Sequence, residues 1–158
     1  MREIHLSLSA EALRYEELSA EEQRLVDAAR EATLRSYAPY SHFSVGAAVL
    51  LENGKTVSGT NQENAVYPSG LCAERTTLFY ANSRYPTAAV VALAIAARNE
   101  AGLLSRPLPP CGACRQVMLE TEQRFGRPMT LLMSGTEEIY RINGVQHLLP
   151  FAFDSEFL

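Results

Sequence analysis

Three cysteines in 158 residues, and the places they occupy, constrain this chain more than any other feature. Cys72 opens the run Cys72-Ala73-Glu74-Arg75. The other two form a Cys-x-x-Cys step inside Pro110-Cys111-Gly112-Ala113-Cys114-Arg115-Gln116. Such a step turns two sulfurs toward one point, and a distant third can complete a tripod around a metal ion. Structural zinc normally takes four protein ligands, whereas catalytic zinc takes three and keeps one position for water. Glu74, two residues past the lone cysteine, stands where a carboxylate can exchange protons with that water. The competing reading is a structural zinc or a redox pair, with His5, His42 or His147 as a fourth ligand; none lies at metal-motif spacing from a cysteine.

Composition narrows the partners. At 17.4 kDa the chain is expected to form one domain over residues 1–158, with residues 1 to about 18 as an N-terminal arm. A net charge of −4, a single lysine (Lys55) and scattered arginines exclude the clustered basic face that grips phosphates. A free small molecule is therefore expected as substrate, not a nucleic-acid polymer. No run approaches the roughly 20 apolar residues of a membrane span, and the acidic first 23 residues have no apolar signal core. An odd cysteine count without such a signal argues against a disulfide framework and for a cytoplasmic setting.

The pattern alternates strands and helices. Ile4, Leu6 and Leu8 predict a short edge strand or arm. Ser19 and Glu22 form a capping-box pattern that starts a helix running to near Tyr37. Phe43–Leu51 reads as a buried strand, and Asn53-Gly54 as a tight turn into a partner strand at Thr56–Thr60. Residues 72–84 read as a helix in which Leu78, Phe79 and Ala81 are available to pack. Ala89–Ala97 is apolar enough for a strand buried on both faces. A second helix spans about Cys111 to Phe125 and stops at Gly126 and Pro128. Strands follow at Thr130–Met133 and Glu138–Ile142, giving an α/β arrangement with a mixed sheet. Cys72, Cys111 and Cys114 all fall at helix starts, where backbone N–H groups favour thiolates.

Five segments, in order, carry a resemblance to a known family. They are Tyr40-Ser41-His42-Phe43-Ser44-Val45-Gly46-Ala47, Asn61-Gln62-Glu63-Asn64-Ala65-Val66-Tyr67-Pro68, Cys72-Ala73-Glu74-Arg75, Pro110 to Gln116, and Leu148-Leu149-Pro150. Together they resemble the small zinc-dependent cytidine deaminases of the three-cysteine type. The resemblance implies a three-layer α/β/α cytidine deaminase-like fold with a five-stranded mixed sheet, in which two helix starts meet over the sheet. It also implies Zn²⁺ on Cys72, Cys111 and Cys114, with Glu74 as the catalytic proton carrier and Arg75 drawing charge from the thiolates; Arg115 is a second candidate for that role. Asn61 and Glu63 would hold the ribose 3′-hydroxyl, the Ala73 N–H the pyrimidine O2, and Phe43 the base. Tyr67 falls near the sugar and a subunit interface. Phe153, or Phe151 on the same side of the tail, would reach a neighbouring subunit's site within a homotetramer. Ser44 and Gln62 depart from the residues common at those positions.

The implied reaction is hydrolysis of cytidine and deoxycytidine to uridine and deoxyuridine with release of ammonia, as in pyrimidine salvage. C4 of cytosine is a weak electrophile and the amine a poor leaving group, so protons must be delivered to both. One carboxylate alternating as base and acid suffices. Two rivals stand beside this reading: a zinc deaminase of another nucleoside, such as a nucleoside antibiotic, and a non-catalytic zinc-stabilised binding module. The first need not keep the Asn61-to-Ala65 run. The second requires a fourth protein ligand and leaves Glu74 without a role.

Overall fold

The computed structural model describes residues 1–158. The order is β1 (Glu11–Leu13), α1 (Ala20–Ala32), β2 (Ser44–Leu51), β3 (Thr56–Thr60), α2 (Ala73–Arg84), β4 (Val90–Asn99), β5 (Gly102–Leu103), α3 (Gly112–Phe125), β6 (Thr130–Ser134) and β7 (Ile139–Asn143). One sheet carries every strand, in the order β1-β7-β6-β4-β2-β3, with β5 paired to β4. Only β4 and β6 pair in parallel; the remaining ladders are antiparallel. That single parallel pair needs a crossover, and α3 supplies it.

The sheet has seven strands, where five were expected. Both additions lie where side-chain periodicity is uninformative. β5 is two residues long and merely folds back on the end of β4. β1 forms at Glu11–Leu13, while Ile4, Leu6 and Leu8, where an edge strand or arm was expected, belong to no strand and are exposed, as in an arm. Edge availability decides this: Glu11 pairs opposite Arg141 of β7, and the Arg141 Nε donates to its carboxylate at 2.7 Å. The same guanidinium reaches Glu22 of α1 at 3.1 Å, tying the arm, the sheet edge and the first helix together.

α1 starts at the expected capping box. The Glu22 N–H donates to the Ser19 hydroxyl and the Ser19 N–H to the Glu22 carboxylate. It ends at Ala32, short of Tyr37, with one 3₁₀ turn through Arg35. α3 stops where glycine permits a left-handed residue, at Gly126 with φ +61°. Phe79, expected to pack, lies on the outer face of α2.

The two faces of the sheet differ in kind. Toward α1, β4 presents Ala92, Ala94 and Ala96, with Ala48 beside them, and α1 answers with Val26 and Ala29. Toward α2 and α3 the same strands present Leu93, Ile95, Val49, Leu131 and Met133, meeting Leu78 and Met118. This is the expected period of two along strands covered on both sides. Small side chains let α1 lie close to the backbone of β2. A Cβ on Gly46 would sit 2.2 Å from the Ala29 carbonyl oxygen and 2.7 Å from the Thr33 nitrogen. Gly46→Ala should therefore lower the unfolding free energy by at least about 1–3 kcal/mol, read from denaturant midpoints. An unchanged midpoint would mean that α1 does not approach β2 so closely.

Candidate active site

The sulfur cluster forms where two helices begin side by side. Cys72 and Cys111 are the residues preceding α2 and α3, both with extended backbone (φ −69°, ψ 154° and φ −68°, ψ 166°). Each leaves the helix axis just ahead of free backbone N–H groups. Cys114 lies in the first turn of α3 and is fully buried. The three Sγ atoms all fall within 4.8 Å of one another, with Cys72 to Cys111 at 3.8 Å and Cys111 to Cys114 at 3.4 Å. Tetrahedral zinc with bonds of about 2.3 Å separates its sulfur ligands by about 3.8 Å, so the spacing fits that ion. No histidine or carboxylate joins the group: only these three cysteines share it.

Charge in the cluster is unevenly distributed. Cys72 is pulled down to about 5, chiefly by a hydrogen bond from Cys114 and then by Arg75, whose Nη2 lies 3.8 Å from the sulfur. Cys114 is pushed up because it donates to the Cys72 thiolate and is buried. Without a cation the sulfurs share protons. A divalent cation lets all three ionise. Arg75 is itself held more firmly protonated by Cys72, toward which its Nη2 is turned, while its Nε is buried with no acceptor. Arg115 takes a different path. Its Nε donates to the Pro110 carbonyl at 2.9 Å and its Nη1 to the Leu148 carbonyl at 3.0 Å.

A cavity of about 800 Å³ opens beside the sulfurs, large enough for a nucleoside. Cys72, Cys111, Glu74 and Arg75 line it, together with Phe43, Val45, Asn61, Glu63 and Tyr67. Glu74 is only 4% exposed, and burial pushes its carboxyl above the usual range, favouring a carboxylate that can hold a proton. Of the residues singled out from sequence, Phe43, Asn61, Glu63, Tyr67, Glu74 and Arg75 meet here. Ala73 is buried at the first position of α2, where its N–H has no intrahelical acceptor. Phe153 does not line this chain's cavity; it is exposed and stacked on Phe157 at 5.8 Å. Sequence reasoning gave no role to Tyr40, Leu108 and Pro109, which also line the cavity. Tyr40 meets Tyr67 edge-on at 6.1 Å. Position in the Tyr40-to-Ala47 run was the one available signal for it. Leu108 and Pro109 come from an irregular loop that has no periodic signature.

Asn61 and Glu63 lie just past the end of β3, where Gln62 bridges to both Tyr37 and Leu71. The Asn61 amide oxygen accepts from the Ser36 hydroxyl at 2.5 Å and the Val45 N–H at 2.8 Å, and its NH₂ donates to the Phe43 carbonyl at 2.9 Å. Glu63 accepts from the Tyr40 N–H at 2.9 Å and from the Ser41 hydroxyl, whose contact holds its carboxyl below the ordinary range. Both therefore fasten the loop that carries Phe43, and Asn61 keeps one amide N–H for a ligand. Asn61→Ala should lower the unfolding free energy by about 1–3 kcal/mol and speed amide exchange at Val45 with no ligand present. Unchanged stability and exchange would assign the amide to the ligand alone.

Comparison with known proteins converges on one group. The family described as "Cytidine and deoxycytidylate deaminase zinc-binding region" matches residues 19–125, from the cap of α1 to the end of α3. A cytidine deaminase of Halalkalibacterium halodurans is 43% identical over 139 residues, covering 85% of this chain and 95% of the relative. A probable cytidine deaminase of Dictyostelium discoideum is 34% identical, covering 86% of each. Among solved structures, cytidine deaminase from Burkholderia pseudomallei superposes with a TM-score of 0.71 at 36% identity, over 86% of this chain and all of that one. The enzyme from Mycobacterium tuberculosis gives 0.67 at 34% identity, over 86% of this chain and 99% of that one. With the sulfur tripod, the buried Glu74 and these matches together, the chain belongs to the cytidine deaminase family.

Proposed function

We propose that this chain hydrolyses cytidine and deoxycytidine to uridine and deoxyuridine, releasing ammonia, with one zinc ion on Cys72, Cys111 and Cys114. The observation that carries this reading is a buried carboxylate, Glu74, that lines a nucleoside-sized cavity with Cys72 and Cys111 of a three-sulfur cluster. Zinc held by these sulfurs supplies the Lewis acidity that makes water a nucleophile near neutral pH. Glu74 removes a proton from the attacking water and delivers it to N3 of the pyrimidine, which makes C4 electrophilic. It then takes the proton of the new C4 hydroxyl and passes it to the exocyclic amine, so that the C4=O bond forms as the C4–N bond breaks and ammonia leaves. The two helix starts and Arg75 offset the negative charge of three thiolates.

The lining residues support one substrate placement. The free N–H of Asn61 donates to the sugar hydroxyl and Glu63 accepts from it, with Phe43 against the base, the Ala73 N–H on O2 and Tyr67 at the rim. A small neutral nucleoside suits a chain of net charge −4. No helix is long and apolar enough to cross a membrane. We place the enzyme in cytoplasmic pyrimidine salvage, with residues 1–158 acting as one catalytic domain. A binding module stabilised by zinc would require a fourth protein ligand, and the cluster contains only three.

Assembly is part of the proposal. Phe151, Phe153 and Phe157 are 77%, 61% and 71% exposed, a run of aromatic surface in a tail that does not line the cavity beside the sulfurs of its own chain. A homotetramer in which each tail completes a neighbour's cavity covers that surface.

Two experiments test the site and the assembly. Cys111→Ala should lose zinc, whereas Glu74→Gln should keep zinc and fold but lose activity by a factor of 10²–10⁴ or more. Full zinc content in the first variant, or near-normal turnover in the second, overturns the assignment. Truncation after Pro150 should raise KM sharply with zinc retained, and mixing those chains with Glu74→Gln chains should restore activity. A fully active monomer in light scattering excludes the shared site.

A further inference from the structure

The geometry points to Arg115 and Gln116 as positioning residues that hang the C-terminal tail on the same helix start that carries two of the clustered sulfurs. This rests on the reading of the tail as the segment that completes a neighbouring cavity. Both residues follow Cys114 directly in the first turns of α3. Arg115 is two-headed: one nitrogen donates to the Pro110 carbonyl, just before Cys111, and another to the Leu148 carbonyl, at the root of the tail. A planar guanidinium reaches the two carbonyls with two separate, fixed nitrogens, whereas a lysine has only one nitrogen to share between them. Gln116, one residue on, donates its side-chain N–H to the Phe153 carbonyl at 2.8 Å.

Consecutive side chains therefore hold the tail at two points five residues apart. The root has apolar support as well, since Leu148 and Leu149 pack against the core. Beyond Leu149 the tail has no other hydrogen bond to the rest of the chain; its remaining bonds are local, from the Phe157 N–H to Asp154, the Leu158 N–H to Ser155 and the Glu156 N–H to Asp154. The aromatic rings stay exposed while the backbone behind Phe153 is fixed. A segment held by its backbone with its rings facing outward is prepared for another surface. Through Arg115 its root shares one guanidinium with the Pro110–Cys111 turn, so tail placement and the sulfur turn are mechanically joined.

The test is Gln116→Leu in the zinc-loaded protein. Zinc content and kcat should match the unmodified chain. The Glu156 and Phe157 amides, which are hydrogen-bonded just beyond the Phe153 anchor, should exchange about two- to ten-fold faster, and KM for cytidine should rise by a similar factor, the range one hydrogen bond supplies. Placed in the chain truncated after Pro150, the same substitution should change KM no further, because its only partner is gone. Unchanged tail exchange, or an equal rise in KM in both backgrounds, overturns the proposal. Arg115→Met should speed tail exchange and also hasten zinc loss to a chelator; if that variant does not fold, the Gln116 measurements decide alone. A truncation with no effect on KM sinks the tail reading of the preceding section, while the exchange data still judge the grip of Gln116.

Discussion

Three thiols within 4.8 Å of one another cannot all carry charge unless positive charge is brought to them, and most of this fold serves that requirement. Two helices must begin at the same place so that their N-terminal N–H groups face the sulfurs. α2 and α3 therefore lie side by side on one face of the sheet. The parallel pairing of β4 with β6 is what returns α3 to that face, because a parallel neighbour can be reached only by a crossover. Arg75 adds a full positive charge from within α2, at hydrogen-bonding distance from Cys72.

The wall of the cavity depends on a second, smaller economy of donors and acceptors. Asn61 and Glu63 satisfy backbone and hydroxyl groups from Ser36 to Val45, a stretch that otherwise has little regular structure. The residues assigned to the sugar are thus also those that shape the loop carrying Phe43. A ligand that competes for these bonds acts on the loop as well as on the residue it touches, which couples recognition to the position of the aromatic wall.

Much of this was legible from sequence, for identifiable reasons. The capping box at Ser19, the apolar run through β4 and the helix starts at Cys72 and Cys111 are local signals, and the chain obeys them. The sulfur cluster was legible because coordination chemistry restricts the spacings that can build it. What escaped depended on distant partners. β1 is fixed by Arg141, 130 residues from Glu11, so the alternation at Ile4, Leu6 and Leu8 pointed to the wrong stretch. Arg115, taken as a thiolate donor, points to two carbonyls instead, one of them 33 residues away at Leu148. Phe79 had the spacing of a core residue but faces outward.

The unlike faces of the sheet give this protein two mechanical halves. On the α1 side Ala29, Ala48, Ala92, Ala94 and Ala96 make up half of the buried cluster and Gly46 lies close against the helix backbone, which leaves little room to absorb a displacement. On the other side Met118, Met129 and Met133 fill the space beneath α2 and α3, and unbranched thioether chains adjust at little cost. A shift of either helix start would meet less resistance from the side that holds the methionines than from the alanine side. The tighter face of the sheet thus lies against α1, and the more adjustable one lies beneath the sulfur cluster.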